Sequence, residues 1–287
     1  MKAIFKHELS GFFNNISGCV YGAFLLLFGG IYTLVYNLRN GLTNFEYVIA
    51  GMVIIFLIAV PVLTMKIIAE ERRQKTDTLL YSLPVSMTRV ILGKYLAMLV
   101  VMMIPLCIIG IYPLILRSYG EVNLATVYGT LFAFFLLGAA LTAMGMFISS
   151  ITESQAVAAG LCFAVMLLNY FVSSLASYVS DAPFASFLAF FVLFILAAAV
   201  VRIMTKSRFA AILAFLIPNT VLLLLFSIKS DMFESLFPKI MDRISLFERF
   251  YPFAEGMFDI TNIVYLISVA VLFVFLTVQS MEKRRYS

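Results

Sequence analysis

Histidine occurs once in these 287 residues, cysteine three times, and only 12% of the residues carry charge. Each scarcity removes a class of protein. His7 has no neighbouring ligand residues, so a metal centre would need His and Cys that the chain does not have. Cys19, Cys107 and Cys162 all fall inside apolar stretches, where a thiol behaves as a small hydrophobe, and they form no disulfide framework. A phosphate loop is also missing. Gly93-Lys94 is the nearest approach, but it lacks the first glycine of that pattern and is followed by Tyr95 where Ser or Thr would hold magnesium. The centres of the long apolar blocks contain no Asp, Glu, Lys or Arg, and Lys66, Arg117 and Arg202 stand at block ends. A proton relay needs ionisable groups inside the membrane, at about 2.5–3.5 kcal/mol each on insertion scales, so the energy for any transport comes from elsewhere. No cofactor and no catalytic residue is expected.

What the chain has in excess is apolar surface. At 63% hydrophobic it lies far above a water-soluble domain, whose apolar share is nearer half. The apolar residues gather in blocks long enough for a helix rising about 1.5 Å per residue to cross roughly 30 Å of hydrocarbon. Helices are required, because an open strand edge in lipid leaves its backbone groups unpaired, and the short alternating segments of a membrane barrel are absent. The expected fold is therefore an all-α integral membrane protein, a polytopic helical bundle of about eight spans. They fall at residues 16–36, 47–69, 90–116, 124–149, 155–178, 184–201, 209–228 and 262–279. The first is too long for a signal-peptide core and no small-residue cleavage site follows it, so it reads as a retained span.

An even span number places both termini on one side. Of the 20 Lys and Arg, 14 lie at the termini and in the loops on that side, leaving 6 opposite, which makes the terminal side cytoplasmic. That distribution accounts for the net charge of +5 and leaves no reason to invoke nucleic acid. Membrane lipid is the expected surrounding.

Four features stand outside the spans. In residues 1–15, Ile4, Phe5, Leu9, Phe12 and Phe13 recur at helical spacing, with Lys2, Lys6, Ser10 and Asn14 on the other face. This is an interfacial helix, either a plain anchor or an elbow that also braces a cytoplasmic partner. The loop 66–89 begins with Lys66 and continues Glu70-Glu71-Arg72-Arg73. Leu79, Leu80 and Leu83 then form a small apolar face, Pro84 stops the helix, and Ser86 is placed to cap the next one. This loop is either a positive-inside tether or a docking helix seated in a partner's groove by its leucines. In the fourth block, Gly138, Ala139, Thr142, Ala143 and Gly145 suit close helix packing, with a pore lining as the alternative. Within the outer loop 229–261, Phe233, Leu236, Phe237, Ile240, Met241, Ile244, Phe247 and Phe250 step by three and four, the mark of an amphipathic helix.

Four blocks resemble the type-2 ABC-transporter permeases, in particular the gliding-motility permease branch. They are Ala69-Glu70-Glu71-Arg72-Arg73 through Thr78-Leu79-Leu80, and Leu83-Pro84-Val85-Ser86 leading to Gly93-Lys94-Tyr95. The third runs from Gly145 through Ser149-Ser150 to Gln155, and the fourth from Phe258-Asp259 to Arg284-Arg285-Tyr286. The resemblance implies a single permease domain over 1–287, an exporter, with an N-terminal elbow helix and a coupling helix between the second and third spans. It also implies a second permease chain, as homodimer or heterodimer, and a separate ATP-binding-cassette ATPase subunit. On that reading Glu70, Glu71, Arg72 and Arg73 open the coupling element, and Thr78, Leu79, Leu80 and Leu83 complete the ATPase contact. Such a protein sits in the cell membrane, multi-pass, of bacterial plasma-membrane type. Family members generally have six spans, so the pair 184–228 reads as an insertion into a six-span core. An ion-coupled secondary transporter and a non-transporting membrane scaffold are the alternative classes.

Overall fold

The computed structural model describes residues 2–14, 17–75, 86–205 and 208–285. Thr78, Leu79, Leu80, Leu83 and Pro84 of the expected coupling helix lie outside the described residues, as does Lys206 at the turn of the inserted pair. Among the described residues every regular element is helical.

Six described helices are long and apolar enough to cross a membrane: Ser17–Arg39, Glu46–Arg73, Met87–Leu116, Leu124–Ile151, Gln155–Ala176 and Ile260–Arg284. They coincide with the six-span core read from the apolar blocks. A seventh is reached if Ile212–Ile228 and Ser230–Ile244, bent by 118° at their junction, count as one span. The inserted pair is present as helices Pro183–Thr205 and Arg208–Ile228. Of the first, Pro183–Ala199 is the apolar part among the described residues, and in those residues the eight apolar blocks correspond to six, or up to seven, helices of spanning length.

The chain divides into two compact units, residues 1–168 with 249–287, and residues 169–248. At the centre of the first lie the second and fourth spans, whose most apolar stretches are 67% and 72% buried, against 22% for the first and last spans. Phe56 of the second stacks on Phe134 of the fourth with ring centroids 4.2 Å apart, and Phe250 meets Phe134 edge-on. The small residues of the fourth span make that approach possible. A Cβ on Gly138 would stand 2.9 Å from Phe56 Cζ, and one on Gly145 would stand 2.5 Å from Thr64 Oγ1. Their role in this chain is packing.

The third span is interrupted near its end. Its helix runs through Pro105 without interruption to Ile109 and breaks at Gly110 and Ile111, with Pro113 in the first turn of the helix Tyr112–Leu116. Proline is tolerated there because the first-turn N–H has no helical acceptor. Ser86 does occupy the cap position of Met87–Ile109 in extended backbone, but its side chain makes no capping bond. The N-terminal helix Lys2–Asn14 lies against the start of this span, where a Cβ on Gly93 would be 3.2 Å from Ile4 Cγ2.

In the second unit, Phe187 and Phe226 join the inserted helices, and Phe237 meets Phe190 edge-on at 5.2 Å. The amphipathic run is shorter than its period suggests. Its helix is Leu236–Ile244, because the Asn169 side chain takes over the backbone there, donating to Ile244 O and accepting from Leu246 N at 2.9 Å. The Ser245 hydroxyl accepts from Glu248 N, so Leu246 and Phe247 turn inward and are buried.

Candidate functional site

The expected coupling element begins at a break in the second span. The helix ends at Thr64, passes through turns at residues 65–68, and resumes as Ala69–Arg73. Ile68 leaves the helical region with φ −127°. A break deprives backbone N–H groups of their helical acceptors, and a buried donor without a partner costs about 1–3 kcal/mol. Here the fourth span supplies the partner. Ser149 Oγ accepts from Ile68 N at 3.3 Å and Ala69 N at 3.1 Å, and donates to Met65 O at 3.4 Å.

The four charged residues that follow divide by direction. Arg72 is buried, and its guanidinium donates to Thr152 O at 3.3 Å and to Met281 Sδ at 3.7 Å, tying the segment to the ends of the fourth and last spans. Glu71 accepts from Lys94 Nζ of the third span at 2.5 Å. Glu70 lies on the outer side, accepting from Gln74 at 3.2 Å, and Arg73 is exposed. So Glu71 and Arg72 are held within the chain, and Glu70 and Arg73 face outward. Lys75 closes the segment with φ 57°, the left-handed helix-ending conformation that Gly usually supplies.

Lys94 and Glu8 are the residues that sequence reasoning missed. Lys94 entered only as part of a failed phosphate loop and of a motif shared with the permeases, without a role of its own, and Glu8 not at all. Yet Lys94 has a side chain only 2% exposed, bonded to Glu8 at 2.7 Å, Glu71 at 2.5 Å and Ile67 O at 3.3 Å. The available signal was a lysine just inside an apolar block with carboxylates on the two segments flanking it on the same side of the membrane. A cavity of about 680 Å³ opens beside this cluster, lined by His7, Glu8, Lys66, Glu70 and Glu71 together with apolar Ile4 and Phe12. Among the described residues no group of three or more His, Cys, Asp or Glu is arranged to hold a metal ion. The cluster is a buried ammonium ion-paired to two carboxylates.

Six apolar helices, two of them buried at the centre of the first unit, with a broken and ion-paired segment at one end of the second span, define a multi-pass helical membrane protein. Residues 30–280 match the family model described as ABC-2 family transporter protein, and the chain belongs to that family. It is thereby a permease subunit of an ABC transporter, the membrane component of a system that works with an ATP-binding subunit. No curated protein matches the chain.

Proposed function

We propose that this permease is an exporter subunit of the cell membrane, paired with a second permease chain and driven by a separate ATPase that docks on residues 70–83. Both termini face the cytoplasm on this reading, as the bias of Lys and Arg supports. The observation that carries the docking reading is the inward anchorage of Glu71 and Arg72. Through these two side chains the segment is bonded to the third, fourth and last spans, so that a push on it reaches three helices. Glu70 and Arg73 then offer charges at the rim of a contact whose centre is the leucine face of Leu79, Leu80 and Leu83, with Thr78 beside it. Rim charges favour encounter and register, while buried apolar anchors hold the complex.

The test is co-purification of the ATPase from native membranes. Leu79→Asp or Leu80→Asp forces a carboxylate into a desolvated contact and should lower recovery of the ATPase by roughly tenfold or more, the equivalent of about 1.4 kcal/mol or greater. Glu70→Lys should weaken the complex and leave the chain inserted. Recovery of the ATPase at the wild-type ratio with both Leu79→Asp and Glu70→Lys would show that the loop is only a positive-inside tether.

A further inference from the structure

An ammonium group has three protons, and Lys94 Nζ finds three acceptors, Glu8 Oε1, Glu71 Oε1 and Ile67 O. They come from three places in the chain: the N-terminal helix, the segment Ala69–Arg73, and the turn at the break of the second span. The lysine itself belongs to the third span, and its side chain is 2% exposed, while those of Glu8 and Glu71 are 17% and 23% exposed. A surface ion pair exchanges readily with water and holds little. This one has its cation sealed and fully bonded, so releasing either carboxylate leaves a buried charge short of a partner. The close seat of Ile4 on Gly93, at the residue before the lysine, brings the N-terminal helix onto the third span at that level. Glu8 and its helix lie outside the residues that the family match covers.

We propose that Lys94 is a positioning residue for the transport cycle, locking the N-terminal helix to the segment Ala69–Arg73 so that the two move as one body. A helix break is compliant by nature, and the turn at 65–68 would absorb a displacement of the segment if nothing bridged it. Lys94 bridges it twice, through Glu71 beyond the break and through Ile67 O within it. The other carboxylate, Glu8, passes the same displacement to the N-terminal helix. The inference rests on the docking reading only for what pushes the segment, since the joint lies wholly within this chain.

The joint is read by electron spin resonance distances between labels at Ser10→Cys and Gln74→Cys, both exposed positions, in a background with the three native cysteines replaced by alanine. The chain is measured in lipid nanodiscs alone and in complex with its co-purified ATPase, with nucleotide and vanadate added. With Lys94 present a single narrow distance is expected in every state. Glu8→Gln, which leaves a neutral acceptor and an intact Lys94–Glu71 pair, should lose that narrow distance, and so should Lys94→Met. Glu70→Gln, whose surface bond to Gln74 the label already removes, should keep it. Glu8→Gln and Lys94→Met distributions that match the wild-type chain in a folded, monodisperse sample would overturn the proposal. If the narrow distance depends on Glu8 in the chain alone but no ATPase accompanies it, the docking reading fails and the joint stands. If the complex assembles and the distance ignores Glu8 and Lys94, the joint fails and docking stands.

Discussion

At the scale of single residues, Gly145 shows how little space separates the central spans. A Cβ there would meet Thr64 at 2.5 Å from Oγ1, 2.9 Å from Cγ2 and 3.0 Å from Cβ. Thr64 cannot easily give way. It is fully buried, its β-branched side chain is stiff about χ1, and its hydroxyl is bonded to Val60 O at 2.9 Å. Gly145→Ala should therefore destabilise the chain by about 1–3 kcal/mol, as overpacking does. Thr64→Ala removes the two nearest atoms, so the double variant should recover most of that loss in a double-mutant cycle of denaturation in detergent. Additive losses would show that the two residues do not share the contact. The small-residue cluster was visible in the sequence, since five such residues in one apolar helix point to close packing. Which partner each one meets was not, because Thr64 lies 81 positions away from Gly145. Lys94 was hidden for a related reason: a lysine near a block end reads as an ordinary boundary charge until two carboxylates are brought to it.

At the scale of elements, the spans were legible because a block of about 20 apolar residues leaves lipid-compatible backbone no option but a helix. Interruptions were not legible in the same way. The break at 65–68 contains no Gly and follows Pro61 by several residues; what permits it is Ser149, a hydroxyl from the fourth span that takes up two N–H groups. Ser149→Ala removes that acceptor and should cost about 1–3 kcal/mol of stability, the usual penalty for stranding buried donors. Faster hydrogen exchange at the amides of Ile68 and Ala69 should accompany it. Unchanged exchange and stability would mean that solvent, and not Ser149, satisfies the break. The outer amphipathic helix ends early by the same kind of contact, with Asn169 bonding both Ile244 O and Leu246 N.

At the scale of the whole molecule, orientation is the property that basic residues dictate, since Lys and Arg in short loops stay on the cytoplasmic side. Single cysteines at positions 10 and 202, both exposed, should react with a membrane-impermeant maleimide only after cells are opened. Labelling of position 202 in intact cells would place the turn of the inserted pair outside and require a different path for residues 184–228. Composition and block length by themselves determined that the chain is helical and multi-pass, because lipid imposes those terms on any sequence so apolar. The order of its motifs also carried the family. Only the tertiary structure decided which charges of Glu70, Glu71, Arg72 and Arg73 turn inward, and that Lys94 gathers Glu8 and Glu71 around one ammonium. Those outcomes depend on helices distant in sequence meeting at one end of the bundle, and a contact across 86 residues leaves no periodicity in the chain to read.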